Sequence, residues 1–302
     1  MHKLKVWISA ARLRTLPLSI SGIIVGTALA QMQGVFNASI FVIAVLTTVC
    51  FQVTSNFAND YGDGVKGTDN EDRIGPKRAL QSGLLTKSEL KNGIVVSIIC
   101  CILLVVSLVW LAFGKENIGY VIFFLTLGLV CVWAAIKYTV GQSAYGYKGL
   151  GDVFVFIFFG PVAVLGSLFL YTQSITTMAV FPAIAIGLLS TGVLNLNNLR
   201  DCESDKKARK NTLVVKLGFS NGKKYHYALL IISFLCMLAF FIFNYKEMLS
   251  SIYLLAYTPI FIHLTTVKKN NSPVLLDPEL KKLALSTFLL AILFYISFNN
   301  FL

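Results

Sequence analysis

Residues 37–63 read NASIFVIAVLTTVCFQVTSNFANDYGD. No side chain from Asn37 to Ala58 is charged, and Asn59-Asp60-Tyr61-Gly62-Asp63 follows at once. An apolar run of this length is a bilayer span, which needs roughly 20 apolar residues. Carboxylates at its end are costly unless something binds them. The pattern returns once: residues 176–197 form a second apolar run, and Asp201-Cys202-Glu203-Ser204-Asp205 follows it. Both stretches describe a membrane protein with a polar site where two spans end.

The rest of the chain agrees. Of 302 residues, 56% are hydrophobic and 13% charged, against about 25% charged in soluble domains. Segments long enough to span fall at about 16–33, 37–58, 92–113, 118–136, 152–170, 176–197, 226–244, 249–267 and 282–299. A chain in lipid must satisfy its own backbone hydrogen bonds, and these runs lack the alternation of barrel strands. The expected fold is therefore an all-α polytopic membrane protein, nine transmembrane helices in one bundle. It forms a single domain, 1–302, with the connections 59–91 and 199–225 as a cap over the site. Gly22, Gly26, Gly160, Gly166, Gly187 and Gly192 lie within spans, where small residues allow close helix contact.

The net charge of +12 could suggest nucleic acid, but its distribution argues otherwise. Every Lys and Arg except Lys115 and Lys246 falls on one set of connections, together with the N-terminus. Cytoplasmic loops carry the Lys/Arg excess, so the N-terminus and the polar site are expected in the cytoplasm and the C-terminus outside. All 14 acidic residues except Glu116 and Glu247 lie on or beside that same side. Met1–Ala30 has the look of a signal peptide, with basic residues, an apolar run and Ala28-Leu29-Ala30. Eight further spans make it a first span instead. The six cysteines form no C-x-x-C pair and the three histidines are isolated, which argues against a disulfide framework, a zinc site or a Ser-His-Asp arrangement.

The clusters carry the chemistry. Asn197, Asp201 and Asp205 are spaced i, i+4, i+8, so a helix continuing through them would place all three on one face. Two carboxylates one turn apart can share Mg²⁺, which prefers oxygen ligands and substrate phosphates. Arg200, Lys206, Lys207, Arg209 and Lys210 surround them, able to meet diphosphate oxygens. Asn59 and Asp63 repeat the i, i+4 spacing, with Asn56 three residues earlier and Lys66 three later. Glycines at 62, 64 and 67 predict that the helix breaks here into a loop. Asp69 and Asp72 follow, and the Gly75-Pro76 turn holds Arg73 and Arg78 in a fixed relation. A third stretch, Tyr138 and then Tyr145-Gly-Tyr-Lys-Gly-Leu-Gly-Asp152, lies on the same side. Its tyrosines could stabilise a cation and Lys148 could meet phosphate. Together these groups fit ionisation of an allylic diphosphate, with metal and basic residues holding the departing charge.

These stretches resemble the UbiA superfamily of membrane prenyltransferases. The resemblance rests on Asn59 to Asp69, Arg73-Ile-Gly-Pro-Lys-Arg78, Gln81-Ser-Gly83, Tyr145 to Asp152 and Asn197-Asn-Leu-Arg-Asp-Cys-Glu-Ser-Asp205. Within the superfamily they look like the branch that prenylates 1,4-dihydroxy-2-naphthoate for menaquinone, to which Arg14-Thr-Leu-Pro17 and Lys210 to Gly218 also fit. The likeness covers residues 7–220, and the last three spans match in layout only. It implies a cell-membrane enzyme using Mg²⁺, a polyprenyl diphosphate of octaprenyl-like length and dihydroxynaphthoate, with CO₂ lost. It places Asn59, Asp63, Asp201 and Asp205 in the metal–diphosphate motifs. The broad family pattern has a further Asp where Gly67 stands here, so Asp60 or Asp69 completes the first metal set. Asn197 joins the second. Arg73, Arg78 and Lys148 are expected on diphosphate, joined by Asn56, Lys66, Arg200 and Lys210. Asp63, Asp201, Asp205, Arg73, Lys148 and Tyr145 are expected to act in catalysis. The rivals are another aromatic acceptor such as 4-hydroxybenzoate, a lipid phosphotransferase, and a secondary transporter. A transporter's charges would tend to lie mid-span, whereas every carboxylate here sits at a span end or in a loop.

Overall fold

The computed structural model describes residues 2–68, 74–245 and 247–298. Among these there is no strand. Helices long and apolar enough to cross a membrane are α1 (Lys3–Met32), α2 (Ala38–Lys66), α3 (Lys87–Phe113), α4 (Ile118–Lys137), α5 (Gly151–Thr172), α6 (Thr177–Arg200), α7 (Phe219–Phe243), α8 (Met248–Lys269) and α9 (Pro273–Phe298). Each expected span thus has its helix. Large apolar side chains stay exposed along them, among them Leu103 and Trp110 on α3, Phe123 and Trp133 on α4, and Ile242 on α7. An apolar exterior of that extent suits lipid rather than water.

Neighbours pack as α2 on α3 and α4, α1 on α2, α5 and α9, and α6 on α5, α7 and α9. One apolar core draws buried residues from α1 through α9. A smaller one joins Val6 and Ala10 to Phe57, Leu85 and Leu90 under the site end of α2. Gly160 lets α5 reach α6, since a Cβ there would lie 2.5 Å from the Ala183 carbonyl. Gly166 departs from the expected role: its Cβ position meets only Phe124, at 4.0 Å, so this glycine opens space instead of closing a contact. Near it α5 loosens into a π-helical turn over Phe158–Val162, around Pro161. Proline has no N–H for the ladder, and such turns are frequent at functional sites.

The two acidic ends differ from expectation in a way that matters. Helix α2 starts under the Asn37 side chain, which accepts from the backbone N–H of Ser39 and Ile40. It does not break at Gly62 or Gly64 but runs to Lys66 and ends at Gly67, φ +71. The inner glycines serve contact: a Cβ on Gly62 would stand 2.5 Å from Thr139 Oγ1, and one on Gly64 2.6 Å from Leu80 Cδ2. Asn59, Asp60 and Asp63 are therefore helical residues, and the connection after α2 spans only 67–86. Helix α6 ends at Arg200, and a short helix, Cys202–Lys207, follows. The i→i−4 ladder nevertheless continues, with Asp201 N–H donating to Asn197 O (3.0 Å) and Asp205 N–H to Asp201 O (2.8 Å).

Candidate active site

Asp63, on the last turns of α2, is the hub. Its Oδ2 accepts from Arg78 Nη1 at 2.6 Å, and its Oδ1 from the Tyr147 hydroxyl at 2.7 Å. With that proton given to Asp63, the Thr68 hydroxyl donates to the Tyr147 oxygen, 2.5 Å away. Lys66 Nζ stands 3.8 Å from the Tyr147 ring centre and Lys210 Nζ 5.5 Å from it, a cation–π arrangement. Lys210 Nζ also lies 3.9 Å from Asp63 Oδ2 and 3.7 Å from Asp205 Oδ1. One buried ammonium thus bridges the two acidic clusters, which are far apart in sequence. The fold brings Asp63, Asp205, Arg78, Lys66 and Lys210 into one group.

The second cluster closes on itself. Arg200, almost fully buried, grips both oxygens of Asp201 with Nε (2.8 Å) and Nη2 (2.6 Å), and Nη2 also reaches Asn197 Oδ1 at 2.8 Å. This bidentate fork is the strong form of the ion pair. Asp205 is buried, and its Oδ2 has no hydrogen-bond partner among the described residues.

Other expected residues stand elsewhere. Asp60 is turned away from the group. Its carboxylate accepts from the backbone N–H of Ala79 (3.1 Å) and Leu80 (3.3 Å) and so pins the connection after α2. Asn56 donates to Ala11 O (2.8 Å) and Thr15 Oγ1 (3.3 Å), tying α2 to the bend in α1. Lys148 is exposed, and its carbonyl accepts from Lys216 Nζ at 2.7 Å. Tyr145 donates to Ala134 O and stacks on Phe154 at 3.9 Å. Asp69 and Arg73 lie outside the described residues. Tyr147 was hidden in the tyrosine stretch. The available signal was its i+2 offset from Tyr145, which in a tight turn sends the two rings to different sides.

Asn59 links this charged group to a cavity. Arg78 Nη1 donates to its carbonyl at 2.8 Å, and its side chain lines an apolar cavity of about 340 Å³. Tyr138, Tyr145, Phe154 and Leu194 line the same end, while Phe124, Gly166 and Leu170 line the far reach. A charged mouth opens into an oily channel between α1, α2, α3, α4, α5 and α6.

The donor set fits a hard divalent cation. All its oxygens come from carboxylates and amides, one buried carboxylate oxygen is unpartnered, and a lysine ammonium already bridges Asp63 and Asp205. Among the described residues no three His, Cys, Asp or Glu side chains form a ready-made cage. Mg²⁺ needs none, because one or two carboxylates plus substrate phosphates suffice for it.

Two expectations follow. Asp60→Ala leaves two backbone donors without their acceptor and should cost about 3 kcal/mol of stability. A lower thermal midpoint in detergent, with turnover per folded molecule kept, is the expected pair of readings. The other concerns pH. Burial pushes Asp205 up to about 6, helped by the Asp201 and Asp63 charges and opposed by Lys210. A raised carboxyl value means that ionised Asp205 costs stability in the metal-free fold. The protonated carboxyl's contribution to stability is fully present below the ordinary 3.8 and is lost as pH rises through about 6. A cation requires the ionised form, so its affinity should weaken below pH 6, approaching tenfold per unit. Mn²⁺ titrations between pH 7.5 and 5 check this, and a flat affinity would contradict it.

Comparison with known proteins bears on the whole arrangement. The profile of the UbiA prenyltransferase family matches residues 19–276. The chain is similar to a 1,4-dihydroxy-2-naphthoate octaprenyltransferase of Haemophilus influenzae, 43% identical over 97% of this chain and 95% of that one. It is also similar to a protein of the same description from Escherichia coli, 40% identical over 97% and 95%. Among solved structures, a UbiA homolog from Archaeoglobus fulgidus bound to GPP and Mg²⁺ superposes with a TM-score of 0.64 at 15% identity, over 95% of this chain and 99% of that one. That likeness speaks for the fold, and the family match and the two relatives speak for kinship: the chain belongs to the UbiA prenyltransferase family.

Proposed function

We propose that this protein transfers a polyprenyl group from its diphosphate to 1,4-dihydroxy-2-naphthoate, releasing diphosphate and CO₂ and forming a demethylmenaquinone in its reduced, quinol form. The observation that carries the reading is the junction at Asn59, where the Asp63–Arg78–Lys210–Asp205 group meets the 340 Å³ apolar cavity. An allylic diphosphate has the matching shape, a charged head and an oily tail. The naming of the two relatives, at 43% and 40% identity, supports the acceptor. Octaprenyl is the expected chain.

Asp63, Asp201 and Asp205, with Asn59 and Asn197, would hold Mg²⁺. When bound, the metal supplies Lewis-acid neutralisation of the leaving diphosphate. Arg78, Lys66 and Lys210 hold diphosphate oxygens and stabilise charge as the C–O bond breaks, its electron pair leaving with diphosphate. Tyr147 fixes Asp63 and keeps the two ammonium groups close. Tyr138, Tyr145 and Phe154 present aromatic faces to the allyl cation and keep water from it. An electron pair of the naphthol ring forms the new C–C bond. The pair of the bond to the departing CO₂ returns to the ring, so this step demands no general base.

The Lys/Arg distribution supports nine spans in one bundle, the N-terminus and site in the cytoplasm and the C-terminus outside. The test is turnover by purified protein in detergent with dihydroxynaphthoate, an allylic polyprenyl diphosphate and Mg²⁺, with and without EDTA. Mg²⁺-dependent prenylated naphthohydroquinone, which air oxidises to the quinone, is expected together with CO₂. Product with 4-hydroxybenzoate but not with naphthoate would overturn the acceptor, and no product with any aromatic acceptor would overturn the reaction.

A further inference from the structure

The second acidic cluster is held by a residue from the far end of the chain. Arg200 Nη1 donates to Asp277 Oδ1 at 2.6 Å. Asp277 begins the regular part of α9, just past the segment the family profile matches. Its side chain is 41% exposed, whereas that of Arg200 is 2% exposed. The guanidinium therefore has three clients. Nε and Nη2 go to Asp201, Nη2 also goes to Asn197, and Nη1 goes to Asp277.

We propose that Asp277 is a positioning residue for Asp201, acting through Arg200. Two physical effects point the same way. Arginine's fork is rigid and planar, so an anchor on Nη1 fixes the plane in which Nε and Nη2 meet Asp201 and Asn197. Without the anchor, Nη1 is a donor with no acceptor on a buried group, and the guanidinium re-seats around Asp201. The second effect is charge. Asp277 neutralises part of a cation that otherwise falls wholly on Asp201, and a carboxylate fully matched by one arginine is a poorer ligand for a divalent ion. Asp277 thus leaves Asp201 oriented but not saturated. The first turn of α9 also carries Glu279, buried against His263 (2.6 Å) and paired with Lys282. Its rigidity gives Asp277 a fixed base.

This inference rests on the reading of Asp201 as a metal ligand, and the experiment separates the two. Mn²⁺ binding is measured by electron paramagnetic resonance on the full chain in detergent, with inorganic diphosphate present. Asp277→Ala should raise the Mn²⁺ dissociation constant about tenfold or more, the usual effect of losing a partner behind a metal ligand. Asp277→Glu, which keeps both charge and acceptor, should return it toward the parent value. Asp277→Asn preserves the shape and serves if the alanine variant does not fold; it should still bind more weakly for want of the charge. Lys282→Gln removes an ion pair from the same helix start without touching Arg200 and should leave Mn²⁺ affinity unchanged. Parent-like affinity in folded Asp277→Ala or Asp277→Asn, or an equal loss in Lys282→Gln, overturns the proposal. Asp201→Ala marks the boundary: if it binds Mn²⁺ like the parent, the metal reading of Asp201 falls and this inference with it. If it loses Mn²⁺ while the Asp277 variants do not, only this inference falls.

Discussion

Asp63→Ala should lower turnover by about 10³, the scale of one electrostatic element removed from a water-excluded site. The same variant should bind inorganic diphosphate more tightly than the parent when Mg²⁺ is absent. The reason is the company Asp63 keeps. Arg78 and Lys210 both lean on its Oδ2, at 2.6 and 3.9 Å, and Tyr147 on its Oδ1. Removing the carboxylate takes away an anion that Arg78 and Lys210 share, so both can turn to a diphosphate directly, while the metal loses its place on α2. The two readings move in opposite directions, which a general loss of structure would not produce. Calorimetry of diphosphate binding without metal, beside turnover with it, makes the test. Equal loss of both would mean that Asp63 only holds the fold together.

Gly166→Phe should convert the enzyme into one that accepts short donors only. Gly166 lines the far reach of the cavity, and a Cβ on it would meet only Phe124 within 4 Å among the described residues, at 4.0 Å. A benzyl group therefore starts from open space there, unlike at Gly26, where even a Cβ would meet the Val164 carbonyl at 2.4 Å. It fills volume that a long prenyl tail needs, while the charged mouth stays intact. Turnover with an octaprenyl-length donor should fall about 10²-fold through misplacement of the head group. Turnover with dimethylallyl diphosphate should change little. Competition between the two donors in one assay gives the ratio directly, and an unchanged ratio would mean that the tail lies elsewhere.

The contrast between Asp60 and Asp63 shows how far sequence reading reaches. Both stand in one acidic cluster at the end of one apolar run. Three residues at roughly 100° each leave their side chains only about 60° apart in azimuth on an α-helix, so spacing does not separate their roles, and composition alone does not say that residues 59–66 are helical. Gly62, Gly64 and Gly67 argue for a break. The first two are present instead because Thr139 and Leu80 press against the helix, contacts made by residues distant in sequence. Gly166 shows the same limit. A glycine that admits a neighbouring helix and one that leaves room for a ligand look alike in the chain.

Other features needed no tertiary information. Span number follows from apolar length, because the bilayer sets one threshold for every segment. The pairing of Asn59 with Asp63, and of Asp201 with Asp205, follows from i, i+4 spacing, which helical geometry turns into proximity. The sequence by itself therefore determined the spans and the two acidic motifs, since each depends on interactions within a few residues. Only the tertiary structure decided that Lys210 bridges the motifs, that Tyr147 holds Asp63, that Asp60 serves the backbone and that Asp277 reaches Arg200. Each of these joins groups from separate helices or loops, and helix packing, which no local pattern encodes, sets which of them meet.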